Sequence, residues 1–224
     1  MSNGSKRGFG IIRLIITLLI VAVIGFGGWI GLSFKKVSDL FSQASNAYTQ
    51  VQSSVEAQDY SSALVYARTA ASLTSQASTE LQGVQWEIAS KIPVLGEDAG
   101  IMRSLGSVSG NLADGAVLPV LDAWDTLAKE GVVVNGTLDT GKVQEKLDQV
   151  IGLADTIKSA DTVVNECNAQ LSVLPTSHFD VLNQWVTQLR TTVASADTAL
   201  NQLSGIANLV TGTASLFSSI TSSV

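Results

Sequence analysis

The chain has 224 residues, a hydrophobic fraction of 46% and a formal net charge of −6. All 19 acidic residues but only eight of the basic ones follow residue 36, so that part of the chain carries about −11. An acidic body repels phosphate backbones and anionic lipid head groups, which excludes nucleic acid as an expected partner.

The first predicted element is a transmembrane helix over residues 14–34, a stretch that contains no charged residue. As a helix it is about 30 Å long, the thickness of a bilayer's hydrocarbon core. Its apolar run is longer than that of a cleaved signal peptide, and bulky residues stand where a peptidase needs small ones. We therefore expect an uncleaved signal anchor. More positive charge before the span than after it predicts a cytoplasmic basic tail over residues 1–13 and an extracytoplasmic body.

Within this span, Gly27 and Gly31 form a pair of small residues four positions apart. Such pairs let two membrane helices approach closely, so a homodimer through this face is one hypothesis. The alternative is that these glycines reflect the ordinary glycine content of membrane helices.

Residues 37–90 are predicted to form a pair of helices. No Gly or Pro separates residues 37–58 from the span, so the anchor helix is expected to continue outward as one rod. Asp59 is the expected N-cap of a second helix over residues 60–90. The apolar positions of that helix are mostly alanines, which allow close packing but bury little area each.

Residues 91–131 form a middle region broken by Pro and Gly. A break around Pro93 is followed by a predicted helix over residues 98–116, and Pro119 starts or kinks the next piece, which ends near Gly131. Only residues 131–134 show a short β alternation, and a polar turn over 135–141 closes the region.

The clearest prediction is an antiparallel, coiled-coil-like hairpin over residues 140–210. Apolar residues recur at steps of three and four in both halves, which is typical of a packed seam. The second half of this seam comprises Leu182, Val186, Leu189, Val193, Ala196, Leu200, Leu203, Ala207 and Val210. A short connection at Pro175 joins the two helices, with Ser177 as the expected N-cap. Together with a Ser/Thr-rich tail over 211–224, these patterns predict an all-α fold: one transmembrane helix that continues into an elongated bundle of long antiparallel helices.

One segment carries a more specific signature. Trp86, Ala89, Pro93 and Gly96 match the pattern W-x-x-A-x-x-x-P-x-x-G. This segment and the plan of basic tail, single span and alanine-rich helices resemble the amino-terminal part of the domain-of-unknown-function family numbered 4012, found in actinobacterial envelope proteins. Members continue into a larger globular domain that this sequence lacks, so it is either a short member or a truncated product. The resemblance implies a bacterial envelope setting, sometimes near polysaccharide genes, and supplies no reaction.

The signature also has a local physical interpretation. Trp86 and Ile88 would bring large apolar area to an alanine-lined bundle, Pro93 would end a helix, and Gly96 would permit the turn back. We therefore interpret Trp86, Pro93 and Gly96 as a structural corner, with an interaction site as the alternative.

Residues suited to catalysis or metal binding are few. His178 is the only histidine, and its neighbour Ser177 is a cap rather than a catalytic partner. Cys167 is the only cysteine, and apolar neighbours at helical spacing predict a buried small hydrophobe. The acids are scattered, and Glu97 and Asp98 suit a helix start. We predict no catalytic residue, no metal ligand, no cofactor and no enzyme activity.

The sequence therefore predicts a single-pass bacterial cell-membrane protein with an extracytoplasmic helical stalk or protein-interaction scaffold. Its expected partners are the membrane and other envelope proteins. Two alternatives remain: a sensor-like or receptor-like helical ectodomain, and the helical accessory half of an envelope-polysaccharide-related enzyme.

Overall fold

The computed structural model describes the backbone of residues 5–93, 95–134 and 137–221, and side chains chiefly between residues 31 and 205. It confirms a mostly helical chain. The helices are α1 (Ser5–Glu56), α2 (Tyr60–Leu81), α3 (Val84–Ala89), α4 (Gly96–Leu112), α5 (Leu118–Lys129), α6 (Thr140–Glu145), α7 (Leu147–Ser172) and α8 (Asp180–Thr221).

Helix α1 is a single helix of 52 residues, about 78 Å long at the α-helical rise. This confirms that the helix after residue 37 is continuous with the segment before it. Asp59 then caps α2 as predicted, since its carboxylate accepts a hydrogen bond from the Ser62 N–H at 3.0 Å. Alanines on α2 are buried at the contact with α1, and they allow the two helices to lie close together in antiparallel orientation.

The predicted single helix over residues 60–90 is wrong in one respect. Helix α2 ends at Leu81, and a turn at Gln82 and Gly83 separates it from the short helix α3. The Gln82 N–H donates to carbonyls of the last turn of α2, and Gly83 stands at the N-cap of α3. This break redirects the chain so that Trp86 points into the bundle.

The middle region is one rod with an irregular turn rather than two pieces. Five residues of π-helix, Ala113–Val117, join α4 to α5, and Pro119 lies in the first turn of α5. In a regular α-helix the proline ring would clash with the carbonyl four residues earlier, at Gly115. The wider π turn keeps the rod continuous, so Pro119 does not end it.

Beyond α5, two short strands form an antiparallel pair, β1 (Val133–Val134) and β2 (Thr137–Leu138). Strand β1 lies within the predicted β alternation. The predicted hairpin after residue 140 is formed by α7 and α8, preceded by the short helix α6. Helix α8 begins at Asp180, so Ser177 is not its N-cap; Ser177 Oγ instead accepts a hydrogen bond from the Phe179 N–H.

The core runs along the bundle and has three parts. The largest lies between the α4–α5 rod, α7 and α8, and includes Leu105, Leu112, Leu127, Ile157 and Leu171. A second part joins α1, α2, α3, α4 and α8 around Trp86. A third, built of Val51, Ala63 and Ala67, joins the far end of α1 to α2. Cys167 is buried in the first part, as predicted.

Within the part of the chain that the structure describes, no helix combines the length and apolarity needed to cross a bilayer. The predicted span over 14–34 lies mostly outside the residues whose side chains are described, as do the tails over 1–13 and 211–224.

Candidate functional site

A buried polar junction ties α1 to α2 and α3. Ser33, at the end of the predicted span, is buried, and its Oγ donates to Glu80 Oε1 at 2.7 Å. The same Oγ accepts hydrogen bonds from the Trp86 indole N–H at 2.9 Å and from Gln85 Nε2 at 3.2 Å. One hydroxyl therefore joins three side chains from two other elements. We call Ser33, Glu80, Gln85 and Trp86 the Ser33 junction.

The solvent side of the Ser33 junction carries charge. Lys36 Nζ lies 2.7 Å from Glu80 Oε2, and the lysine is largely exposed. Hydrogen bonds from Lys36 and Ser33 lower the pKa of Glu80, so its carboxylate stays ionised at neutral pH. The junction is thus fully paired, which suits a fixed connection better than a reactive centre.

The signature residues occupy the turn beside this junction. Trp86 is 4% exposed and packs against Val37, Leu81 and Met102. Pro93 is exposed within the turn, and Gly96 begins α4, where an added Cβ would stand 2.5 Å from the Ser90 carbonyl oxygen. Gly96 is therefore needed for close backbone approach. The expectation for Ile88 is wrong: it is 43% exposed, because the short helix α3 turns only one face inward.

A second buried polar cluster links α4 to the connection between α7 and α8. Asp98 is buried, and its Oδ1 accepts from Ser177 Oγ at 2.6 Å and from the His178 N–H at 3.0 Å. Its Oδ2 lies 3.1 Å from His178 Nδ1. Burial raises the pKa of Asp98, but the hydrogen bonds from Ser177 and His178 outweigh it and the net pKa is lowered.

This cluster does not have the arrangement of a catalytic triad. The Ser177 hydroxyl donates to the carboxylate, so it is not activated by the imidazole as a nucleophile would be. The His178 side chain is 62% exposed. Within the described residues no group of three His, Cys, Asp or Glu side chains could hold a metal ion.

A half-open cavity of about 420 Å³ lies between α1 and α8, above α4. Its floor is buried and includes Leu105, Ser109 and Leu112 from α4. Phe41 from α1 and Trp185 from α8 meet at one wall, with ring centroids 5.7 Å apart. Gln188 Nε2 donates to Ser45 Oγ at 3.1 Å and bridges the two helices at the rim. The volume is within the usual range of small-molecule sites, about 300–1,000 Å³.

The wall of this cavity contains a buried hydroxyl without a partner. Among the described side chains, Tyr48 Oη is the buried polar atom that makes no hydrogen bond. Burial raises the pKa of Tyr48, and the nearby charge of Asp114 raises it further, so the phenol is neutral. An unsatisfied buried hydroxyl carries a free-energy cost, and because the oxygen has no accessible surface, an occupant of the cavity does not reach it unless the ring moves.

Of the glycine pair in the predicted span, the structure describes the surroundings of Gly31 alone. Gly31 is exposed, and an added Cβ there would meet nothing within 4 Å. The surroundings of Gly27 lie outside the described residues. The hypothesis of a helix dimer through this face stays a prediction.

Comparison with protein-family models, with curated proteins and with solved structures finds no match for this chain. The similarity to the family numbered 4012 is therefore untested and stays a prediction carried by four signature residues.

Several functional candidates were missed by sequence reasoning. Ser33 was counted only as part of the span, and Asp98 only as a helix-start charge. The cavity had no sequence signal, because its lining comes from four helices at separate places in the chain. A usable signal for Ser33 is its polarity: its hydroxyl stands at the end of an uncharged, mostly apolar run.

Proposed function

We propose that the chain is a single-pass bacterial envelope protein whose extracytoplasmic helical body acts as a stalk or protein-interaction scaffold, with no catalysis of its own. The observation that carries this proposal is the continuity of α1, which runs as one helix from Ser5 to Glu56. The apolar stretch over 14–34 and the first helix of the bundle are parts of the same rod. A bundle built on that rod is held at a defined distance from the anchor.

The Ser33 junction supports the stalk. It fixes α2 and α3 to α1 only a few residues from Lys35 and Lys36, the charges that follow the apolar stretch. A bundle attached by a flexible linker would rotate freely about its anchor. Here buried hydrogen bonds hold the base of the bundle against α1. A stalk that presents a surface to partner proteins requires such a fixed attachment.

Labelling of single cysteines in intact spheroplasts tests this topology. Cys167 is buried, so the unaltered chain is expected to remain unlabelled and provides the control. With a membrane-impermeant maleimide, Gln50→Cys should react in intact spheroplasts, because Gln50 is exposed on the body. Ser2→Cys should react only after permeabilisation. Protection of Gln50→Cys in intact spheroplasts, with reaction after lysis, would contradict the proposal.

The second candidate is a sensor-like ectodomain, favoured by the cavity. Residues from Ser38 to Tyr48 of α1 line it, so an occupant would touch the same helix that is proposed to enter the membrane. A ligand-dependent change in the labelling rate of a cysteine placed at residue 2 would favour this candidate over a passive stalk. The helical accessory half of a polysaccharide-related enzyme is the third alternative, and the neighbouring genes would test it.

A further inference from the structure

The connections between the helices lie at two ends of the bundle. Helix α1 runs away from the predicted span and ends at Glu56, and α2 returns, so that Glu80 in its last turn pairs with Ser33. The segments that join α2, α3 and α4 therefore lie at the end next to the span, which we call the near end. The connection between α7 and α8 lies there too, because its Ser177 is bound by Asp98 at the start of α4.

The connections at the near end are less polar than those at the far end. Residues 92–95, between α3 and α4, are Ile, Pro, Val and Leu. At the far end the connection between α1 and α2 contains Gln58 and Asp59, and the sequence between β1 and β2 is Asn135-Gly136. Connections that face water are normally polar. The composition of residues 92–95 therefore indicates a less polar surrounding.

Exposed large apolar side chains gather at this same end. Among the described side chains, six of the eleven that are exposed belong to it: Leu32, Val84, Ile88, Val173, Phe179 and Val181. Single exposed apolar residues are ordinary on a protein surface, but a group of them at one end marks an interaction surface. Leu32 belongs to the predicted span itself, so this group is continuous with the apolar stretch. We call these six residues the near-end surface.

The backbone of the connection between α3 and α4 suits a poorly hydrated place. The N–H groups of Lys91 and Ile92 donate to carbonyls of α3. Those of Leu95 and Gly96 both donate to the Ile92 carbonyl, at 3.1 and 2.7 Å, and Pro93 has no N–H to satisfy. Donors that are paired within the turn lose little when water withdraws, and backbone at membrane depth must be paired in this way.

The charges at the near end indicate how deep it can lie. Glu80 and Glu87 are each paired with a lysine, at 2.7 and 2.9 Å. Glu97 and Asp180 are exposed and need hydration. The hydrocarbon core of a bilayer does not offer that hydration, whereas its interface does. At the interface, apolar side chains enter the boundary of the acyl chains and charged groups stay among the head groups.

We propose that the near-end surface lies in the bilayer interface, so that the bundle rests on lipid around the point where α1 emerges. The inference rests on the proposed single-pass function. It follows from the position of the Ser33 junction, which ties α2 and α3 to α1 one residue step, about 2 Å, before the predicted span ends at residue 34. Val84, Ile88 and Phe179 then contact the upper acyl chains.

Quenching by nitroxide-labelled lipid tests the proposal in the full chain. Single cysteines are labelled with the fluorophore NBD in phosphatidylcholine nanodiscs, with and without a nitroxide on the acyl chain close to the head group. Cys167 is buried and is expected to stay unlabelled. Val84→Cys and Val65→Cys are a matched pair, because both valines are 60% exposed. Val65 lies about 22 Å from Glu80 along α2, toward the far end.

The label at Val84→Cys should be quenched several-fold more strongly than the label at Val65→Cys. Phe179→Cys should behave like Val84→Cys although it belongs to another connection, and Ile88→Cys provides a second label on α3 with the same expectation. Equal quenching at Val84→Cys and Val65→Cys would overturn the proposal. Protection of the near-end labels from both the lipid nitroxide and aqueous iodide would also overturn it, because protein would then cover the surface.

A label in the middle of the predicted span separates this inference from the proposed function. Val23→Cys should be quenched by a nitroxide near the end of the acyl chain. Quenching at Val23→Cys without quenching at Val84→Cys and Phe179→Cys would keep the span in the membrane and overturn the lipid contact alone. Absence of quenching at all three positions would overturn the proposed function together with the lipid contact.

Discussion

Ser33 and Trp86, separated by 53 residues, are joined by a hydrogen bond of 2.9 Å from the indole N–H to the serine Oγ. Ser33 lies at the end of the predicted span and Trp86 in the W-x-x-A-x-x-x-P-x-x-G signature. The most specific motif of the chain is therefore attached to α1 at the end of the predicted span. The folded unit extends at least to Ser33, so a soluble fragment starting at residue 37 would lack part of the core.

Substitutions in the Ser33 junction should destabilise the full chain. Trp86→Ala should cost about 3–5 kcal/mol by removing a large buried ring. Ser33→Ala leaves the indole N–H unpaired, while the Gln85 amide keeps its hydrogen bonds to Glu80, and should cost about 1–3 kcal/mol. Circular dichroism melting in nanodiscs measures both. Ser53→Ala, at an exposed position of the same helix, is the matched control and should not lower the melting temperature. Equal melting for Ser33→Ala and Ser53→Ala would refute the role of the junction.

Two glycines of α4 should respond oppositely to alanine. At Gly96 a Cβ would stand 2.5 Å from the Ser90 carbonyl oxygen, so Gly96→Ala should force the turn apart and destabilise. At Gly100 a Cβ meets nothing within 4 Å, and the residue lies inside the helix. Gly100→Ala should therefore stabilise by about 0.5–1 kcal/mol. Thermal melting of the pair tests this, and a similar shift in both variants would contradict it.

The apolar seam of α8 is unevenly buried. A charge at Leu189 is therefore expected to cost less stability than a charge at Val193. Val193 is 1% exposed in the main core, whereas Leu189 is only partly buried and lines the cavity. Val193→Asp should cost several kcal/mol because it buries an unpaired carboxylate. Leu189→Asp should cost less, since its carboxylate can reach water through the open slot. Chemical denaturation gives both values, and a larger loss for Leu189→Asp would contradict the assignment.

The buried carboxylate of Asp98 should contribute to acid sensitivity. Its pKa is lowered in the folded chain relative to about 3.9 in the unfolded chain. Between these two values the unfolded state binds more protons, so stability falls as pH falls. The contribution is fully present above about pH 4 and is lost as pH falls through the folded pKa.

Asp98→Asn isolates this contribution, because an amide can accept from Ser177 but does not ionise. The wild-type chain should melt above the variant at neutral pH, and the difference should shrink as the pH falls below about 4. Melting curves from neutral to strongly acidic pH measure it. A difference that does not change with pH would show that the charge of Asp98 is irrelevant.

Removal of the Tyr48 hydroxyl should not destabilise the empty chain. The hydroxyl is buried and unpaired, so Tyr48→Phe removes a desolvation cost of about 1–3 kcal/mol and sacrifices no hydrogen bond. The melting temperature should rise or stay level. A loss of more than 1 kcal/mol, as in an ordinary Tyr→Phe change at a paired hydroxyl, would reveal a partner for this hydroxyl.

The helical pattern could be predicted wherever contacts are local. Asp59 is the cap that its residue type indicates, and Leu182 and Val193 occupy buried positions of the seam. The turn at Gly83 was missed because the apolar spacing continues across it, even though a glycine just after Leu81 is an ordinary helix stop. Local periodicity therefore predicts which face of a helix is buried better than it predicts where the helix ends.

The candidate site could hardly be predicted, because its contacts span the chain. Asp98 and Ser177 are 79 residues apart, and the pairing depends on how two helix pairs dock. Asp98 is explained locally as an acid at a helix start, and Ser177 as a helix cap. Neither residue by itself therefore indicates the pairing. The cavity depends on α1 and α8 being held apart by Phe41 and Trp185, which no spacing within either helix reveals.

The π turn at Ala113–Val117 shifts the sequence register of the middle rod by one residue. Such a turn holds one residue more than an α turn, and each residue of an α-helix rotates the face by about 100°. In an unbroken α-helix Trp124 would lie about 120° from Leu112, so the extra residue brings it back to the inward face that both share. Deletion of one residue between 113 and 117 would therefore leave Trp124 facing the core, whereas insertion of one would turn it toward solvent. What a deletion removes is the wider turn that keeps the Pro119 ring clear of the carbonyl four residues earlier.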